Sequence, residues 1–181
     1  MVLRADAQRN LERVLDAATE VFAASGPDVS VHEIAQRAGV GHATVFRRFP
    51  TKDDLMLAVI ERRVGELRVL AEESLASDDP GRAFFDFVWK VAELHMSARG
   101  LHQCVARCGD KPGAAELEQL SAKIVSRAQR AGAVRTDVEP ADVPALVRAA
   151  LLAAPDRDWR RYVSVVLDGL RATPAEPTSR G

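Results

Sequence analysis

The sequence predicts an all-α protein, and three observations support that fold class. Apolar residues recur three and four positions apart, as in the first stripe of Leu11, Val14, Leu15, Ala18 and Phe22, which is the spacing of one helix face. Alanine and arginine, both strong helix formers, are abundant. No segment alternates polar and apolar residues for long enough to predict a strand. We therefore expect about nine helices, three short ones near the N-terminus and then a larger helical body.

Composition and charge narrow the class of protein. The chain has 181 residues, of which 47% are hydrophobic and 28% charged, with a formal net charge of −1. This is the composition of a globular protein, and it provides no overall basic field for nucleic acid. Residues 1–10 lack the apolar core of a signal peptide, and the apolar run 149–154 is too short to span a membrane. We expect a soluble cytoplasmic protein.

Two short helices joined by a tight turn form a helix-turn-helix pattern over residues 30–49. Ser30 and Glu33 have the spacing of a capping box that starts the first of these helices. Residues 39–41, Gly-Val-Gly, form the turn because glycine permits the backbone angles that it needs. The second helix, 42–49, stops at Pro50, and Thr51 caps the next helix. In such units the second helix lies in the major groove of DNA.

The remaining helices form the body. We predict them at 51–75, 80–99, 101–108, 114–131, 140–154 and 157–172, and either Pro140 or Asp142 starts the fifth of these. The helix 80–99 is apolar nearly all round, which is typical of a central, buried helix. We divide the chain into a DNA-binding domain at 1–50, a helical body at 51–172 and a disordered tail at 173–181.

The residues of the helix-turn-helix resemble a known family. Residues 31–55, VHEIAQRAGVGHATVFRRFPTKDDL, are similar to the DNA-binding signature of the TetR family of bacterial regulators. The resemblance covers roughly residues 8–58, while the C-terminal body resembles the family mainly in layout. It implies a dimeric DNA-binding protein, most often a repressor that a small molecule releases from a palindromic operator.

The resemblance also implies which residues contact DNA. Ser30 would hold a phosphate, and residues at the front of the second helix would approach base edges. Two arginines would reach phosphates or a guanine, and a lysine would bind a phosphate. The expected DNA-binding residues are Ser30, His42, Ala43, Thr44, Phe46, Arg47, Arg48 and Lys52. His32 and Arg37 are interpreted as solvent-exposed side chains without a role.

Three departures from the family pattern concern the same surface. Gly41 stands where the family usually has serine or threonine, so a capping hydroxyl is missing. Phe46 stands where a tyrosine is usual, and the pair Arg47–Arg48 replaces a common His-Tyr type pair. We expect these changes to alter the operator sequence and not the ability to bind DNA.

The resemblance assigns two further surfaces to the body. The last two long helices would pair with their twins in a homodimer, using Leu146, Val147, Ala150, Leu151, Trp159, Tyr162, Val163, Val166 and Leu170. A pocket for a small apolar effector would be lined by Phe84, Phe87, Val88, Trp89, Val91 and His95. In both cases the alternative is that these side chains only form the core of one subunit.

The sequence is also compatible with two other functions. The chain has no nucleophile–base constellation, phosphate loop or dinucleotide loop, so we expect neither an enzyme nor a cofactor. A helical carrier or enzyme with a vestigial DNA-binding unit is one alternative. Cys104 and Cys108 are four residues apart, with His102 nearby, so a metal- or thiol-responsive regulator on the same fold is another. Their spacing is not that of a standard zinc site, and we predict no metal.

Overall fold

The computed structural model describes residues 2–97, 113–153 and 158–172. These ranges contain eight α-helices and one short 3₁₀ turn, Gly26–Asp28. The helices are α1 (Val2–Ser25), α2 (Val31–Ala38), α3 (His42–Arg48), α4 (Lys52–Ala76), α5 (Pro80–Ser97), α6 (Ala114–Arg130), α7 (Asp142–Leu152) and α8 (Trp159–Leu170). The all-α class is therefore confirmed for the described part of the chain.

The helix boundaries follow the local signals in the sequence. The third helix ends at Arg48, and Phe49 already has an extended backbone before Pro50. Helix α7 starts at Asp142, which leaves Pro144 in the first turn, where its missing N–H costs no hydrogen bond. The ninth predicted helix, 101–108, lies outside the described residues, together with His102, Cys104, Cys108 and the tail 173–181.

The described residues fall into two compact units, one within Met1–Glu66 and Leu94–Ala114 and the other within Leu67–Glu93 and Ala115–Gly181. In the first unit a single apolar core joins the first four helices. Its fully buried members are Ala18 and Phe22 of α1, Ile34 of α2, Val45 of α3, and Leu55, Met56 and Val59 of α4. The start of α4 thus packs with the two helices of the predicted helix-turn-helix.

A polar contact also fixes α1 against α4 inside the first unit. The Arg62 guanidinium donates to the Asp16 carboxylate at 2.7 Å, the Leu15 carbonyl at 3.1 Å and the Thr19 hydroxyl at 2.6 Å. The Thr19 hydroxyl in turn donates to the Leu15 carbonyl at 2.7 Å. Because both terminal nitrogens of Arg62 have acceptors on α1, the contact orients the two helices relative to each other.

In the second unit, backbone bonds tie the segment after α6 to the end of α8. Val134 and Arg171 form an isolated antiparallel bridge, and Ala172 N–H donates to the Ala133 carbonyl at 3.1 Å. Nearby, the Arg135 guanidinium binds both carboxylate oxygens of Asp137 and holds the pKa of Asp137 below its ordinary value. No helix in the described ranges is long and apolar enough to cross a membrane.

Candidate nucleic-acid interface

The start of α2 is fixed by its cap. The Ser30 hydroxyl accepts a hydrogen bond from the Glu33 backbone N–H at 3.2 Å, as the capping-box spacing predicts. Val31, Ile34, Ala35 and Ala38 bury one face of the helix, and Ser30 itself stays exposed. The predicted phosphate contact therefore stands at an accessible helix start whose first N–H groups lack intrahelical partners.

The turn between α2 and α3 depends on one glycine. Gly39 has φ +64°, a left-handed conformation that other residues rarely adopt. Its N–H donates to the carbonyls of Ala35 and Gln36 at the end of α2. The Gly39 carbonyl accepts from the Arg13 guanidinium of α1 at 3.3 Å. Arg13 thus anchors the turn that aims α3, a role that the sequence analysis did not assign.

Helix α3 divides its side chains between core and solvent. Val45 and Phe49 are buried, whereas His42, Ala43, Phe46, Arg47 and Arg48 are exposed and Thr44 is half-buried. Gly41 caps the helix without any side-chain hydrogen bond, in keeping with the missing hydroxyl. Most of the predicted contact residues on this helix therefore face solvent.

Three aromatic rings stand in a row on this surface. The ring centroids of His42 and Phe46 lie 4.5 Å apart, and those of His32 and His42 lie 5.7 Å apart. The first pair is one helical turn apart on α3, and the second pair joins α3 to α2. His32 is exposed as predicted, but it packs beside a candidate contact residue, which sequence spacing could not show.

The start of α4 brings a cation to the start of α2. The Lys52 ammonium donates to the Val29 carbonyl at 3.4 Å, just before the Ser30 cap. Lys52 is held there because Thr51 and Asp54 form a reciprocal cap: the Thr51 N–H donates to the Asp54 carboxylate at 2.9 Å, and the Asp54 N–H donates to the Thr51 hydroxyl at 3.1 Å. Ser30 and Lys52 are twenty-two positions apart in sequence but adjoin in space.

In the part of the chain that the structure describes, the two arginines at the end of α3 carry no neutralising partner. Within the described residues neither Arg47 nor Arg48 has an ion-pair or hydrogen-bond partner, although both are exposed. Arg37, in contrast, pairs with Glu20 of α1 at 2.7 Å. The surface thus carries two unpaired guanidinium groups and the Lys52 ammonium beside Ser30, an arrangement suited to phosphates.

The predicted pocket residues lie on one helix, α5, and differ in burial. Phe84, Phe87 and Val88 are buried, while Trp89, Val91 and His95 are half-buried. A pocket of about 530 Å³ in the second unit is lined by other residues, which include Arg82, Phe85 and Arg171. The effector pocket along α5 therefore stays a prediction.

Among the described residues, no three His, Cys, Asp or Glu side chains cluster closely enough to hold a metal ion.

The predicted dimer residues divide into three groups by burial. Val147, Ala150, Leu151, Val163 and Leu170 are buried within the subunit. Trp159, Tyr162 and Val166 are half-buried, and the Trp159 ring lies 6.1 Å from that of Trp89. Leu146 is 44% exposed, and two residues that the sequence analysis missed, Leu152 and Val165, are each 67% exposed. These three are the large apolar side chains that the described parts of α7 and α8 leave exposed.

The fold and this surface define a class, the helix-turn-helix transcriptional regulators, and comparison with known sequences narrows it. Residues 14–59 match the bacterial regulatory proteins of the TetR family, and residues 79–172 match the C-terminal domain of SbtR-like transcriptional regulators. The chain belongs to the TetR family of DNA-binding transcriptional regulators, and the matched family consists of regulators, not enzymes.

Solved structures of TetR regulators match over most of the chain. A TetR transcription regulatory protein from Mycobacterium vanbaalenii is 41% identical, with a TM-score of 0.73 over 93% of this chain and 99% of that chain. A TetR regulator from Streptomyces coelicolor is 28% identical, with a TM-score of 0.73 over 90% of this chain and 99% of that chain.

Curated relatives match over a shorter stretch. A transcriptional repressor from Mycobacterium tuberculosis is 41% identical over 71 residues, which is 39% of this chain and 38% of that protein. The chain thus spans about two fifths of the length of the curated relatives that it matches.

Proposed function

We propose that this protein is a bacterial repressor that binds a palindromic operator as a homodimer in the cytoplasm and leaves it when a small apolar effector binds. The observations that support the DNA-binding part are that Lys52 lies beside the Ser30 cap and that Arg47 and Arg48 of α3 are exposed and, among the described residues, unpaired. The repressor part is supported by the 41% identical stretch of the Mycobacterium tuberculosis repressor.

The proposed roles follow from the contacts around each residue. Ser30 and Lys52 bind one phosphate, since the helix start supplies N–H groups and the lysine a positive charge. His42, Ala43, Thr44 and Phe46 face the bases in the major groove. Phosphate contacts set the register of the protein on DNA, and the base contacts select the sequence.

Binding to a duplex from the protein's own upstream region, measured at several salt concentrations, tests the proposal. Each phosphate contact contributes about −0.9 to the slope of log K against log salt concentration. We expect Arg47→Ala, Arg48→Ala and Lys52→Ala each to weaken binding. Each should also make that slope shallower by about 0.9, the contribution of one phosphate contact. Arg68→Ala is the matched control, because Arg68 is an exposed arginine that pairs with Glu72 on another part of α4.

Two results would overturn the proposal. One is the absence of any salt-dependent binding by the folded wild-type protein. The other is an unchanged slope in all three variants, which would show that the cations of this surface do not contact phosphate.

The proposed release by an effector is based on the predicted pocket residues of α5 and on membership in the TetR family. A small apolar ligand would lower operator affinity only if it binds the DNA-free conformation more tightly than the DNA-bound one. Trp89 lies among the predicted pocket residues and is one of two tryptophans in the chain. An effector that weakens DNA binding should therefore change the fluorescence of the wild type, and a Trp89→Phe variant should lose most of that change.

A further inference from the structure

Helix α3 carries apolar surface that its own core does not use. Val45 of α3 and Phe49, directly after the helix, are already buried, at 1% and 8% exposure. Phe46 remains 38% exposed, and Ala43, three residues before it and on the same face, is exposed as well. Ala43 and Phe46 thus form an apolar strip on the exposed side of α3, directly before Arg47 and Arg48 in the sequence.

The exposed phenyl ring is held in place from one side. The His42 ring packs against it with 4.5 Å between centroids, and the His32 ring of α2 supports His42 at 5.7 Å. A side chain whose rotamer is already restricted loses less conformational entropy when it forms a contact. The row of rings therefore presents Phe46 as a preformed contact and not as a freely rotating side chain.

The edges of base pairs in the major groove offer hydrogen-bond donors and acceptors, and one apolar group, the 5-methyl of thymine. A phenyl ring gains from contact with this methyl because both surfaces leave water together. We propose that Phe46, with Ala43 beside it, contacts a thymine methyl in each half of the operator and makes the protein select thymine there. The inference rests on the proposed DNA binding and specifies its base chemistry.

Uracil interference tests this contact directly, since deoxyuridine differs from thymidine only by the methyl group. The upstream duplex is prepared with random replacement of thymidine by deoxyuridine, protein-bound and free duplexes are separated, and both are cleaved at uracil. For wild type, we expect uracil to be depleted in the bound fraction at one thymine in each half-site. The expected loss of affinity is about fourfold per site, which corresponds to about 0.8 kcal/mol for one buried methyl group.

Variants at position 46 separate this contact from other roles. Phe46→Ala should remove the interference at that thymine and leave any other interfered positions unchanged, whereas Phe46→Leu, which keeps an apolar side chain, should retain part of it. Phe46 is not in the buried core, so thermal unfolding should show little change in either variant. Arg68→Ala should leave the interference pattern as in wild type.

Two outcomes would contradict the proposed thymine contact, and a third would contradict the proposed DNA binding itself. If wild type binds the duplex but no thymine shows interference, Phe46 does not contact a methyl group. If Phe46→Ala weakens binding and leaves the interference pattern intact, Phe46 packs on the sugar–phosphate backbone, and the proposal is wrong. If wild type does not bind the duplex at all, it is the proposed function that fails.

Discussion

At the scale of single residues, two caps fix the positions of side chains that we propose contact DNA. Ser30 caps α2 through its hydroxyl, and Thr51 with Asp54 caps α4, which places the Lys52 ammonium 3.4 Å from the Val29 carbonyl. The hydroxyl of Ser30 therefore has a structural role in addition to the phosphate contact that we propose. These two roles can be separated because they respond differently to charge.

Ser30→Ala should lower the free energy of unfolding by about 1 kcal/mol, since the Glu33 N–H loses its acceptor. Ser30→Asp should keep the stability, because aspartate is an equally good cap, but it should weaken DNA binding by placing a negative charge beside a phosphate. Urea unfolding and binding measurements on both variants test this. Equal DNA affinity for Ser30→Asp and wild type would mean that no phosphate binds at this helix start.

Residue roles could be predicted from the sequence only where they rest on local spacing. The caps at Ser30 and Thr51 follow from residues three positions apart. Arg13 and Arg62 had no such signal, because their partners are distant in sequence: Gly39 lies in the turn after α2, and Asp16 lies on α1. The neighbourhood of His32 and His42 is likewise a product of packing between α2 and α3.

At the scale of elements, the turn between α2 and α3 sets the direction of α3, the helix that we propose faces DNA. Gly39 and Gly41 stand in that turn with different backbone conformations. Gly39 has φ +64°, while Gly41 has φ −67° and an extended ψ of 138° that any residue can adopt. The sequence predicted a glycine turn here, but it could not show which of the two glycines the backbone requires.

Gly39→Ala should destabilise the protein by about 1–2 kcal/mol, because alanine is strained in the left-handed region. Its Cβ would also lie 2.5 Å from the Arg13 guanidinium, which would have to move. Gly41→Ser is the matched variant and should stabilise α3 by about 0.5 kcal/mol or less, since serine supplies the absent capping hydroxyl and its Cβ meets only Thr44 Oγ1, at 3.7 Å. Thermal unfolding distinguishes the two, and equal effects would contradict this assignment.

At the scale of the whole molecule, the helical class and the order of the helices followed from apolar spacing and from glycine and proline signals. The burial of individual apolar residues did not follow. Leu146 and Val147 are neighbours of similar hydrophobicity, yet Leu146 is 44% exposed and Val147 is buried at 6%. Which of the two faces the core depends on how α7 packs against α8, and this packing is a property of the folded chain.

The apolar residues left exposed on α7 and α8 make the dimer testable. Leu146, Leu152 and Val165 would need a partner surface, and a second copy of the same helices provides one of matching chemistry. Leu146→Glu or Val165→Glu would bury an unpaired carboxylate in that interface, so we expect dimer affinity to fall by about 100-fold or more. Sedimentation velocity at micromolar concentration measures this change.

The matched control is Val69→Glu, which places the same charge on an equally apolar and 49% exposed position of α4. It should leave the dimer intact. Operator binding by Leu146→Glu should then weaken and become steeply dependent on protein concentration. A monomer contacts only one half-site, so two monomers would have to associate on the DNA. A wild-type protein that binds the full operator as a monomer, or a Leu146→Glu variant that remains dimeric, would show that these helices do not form the interface.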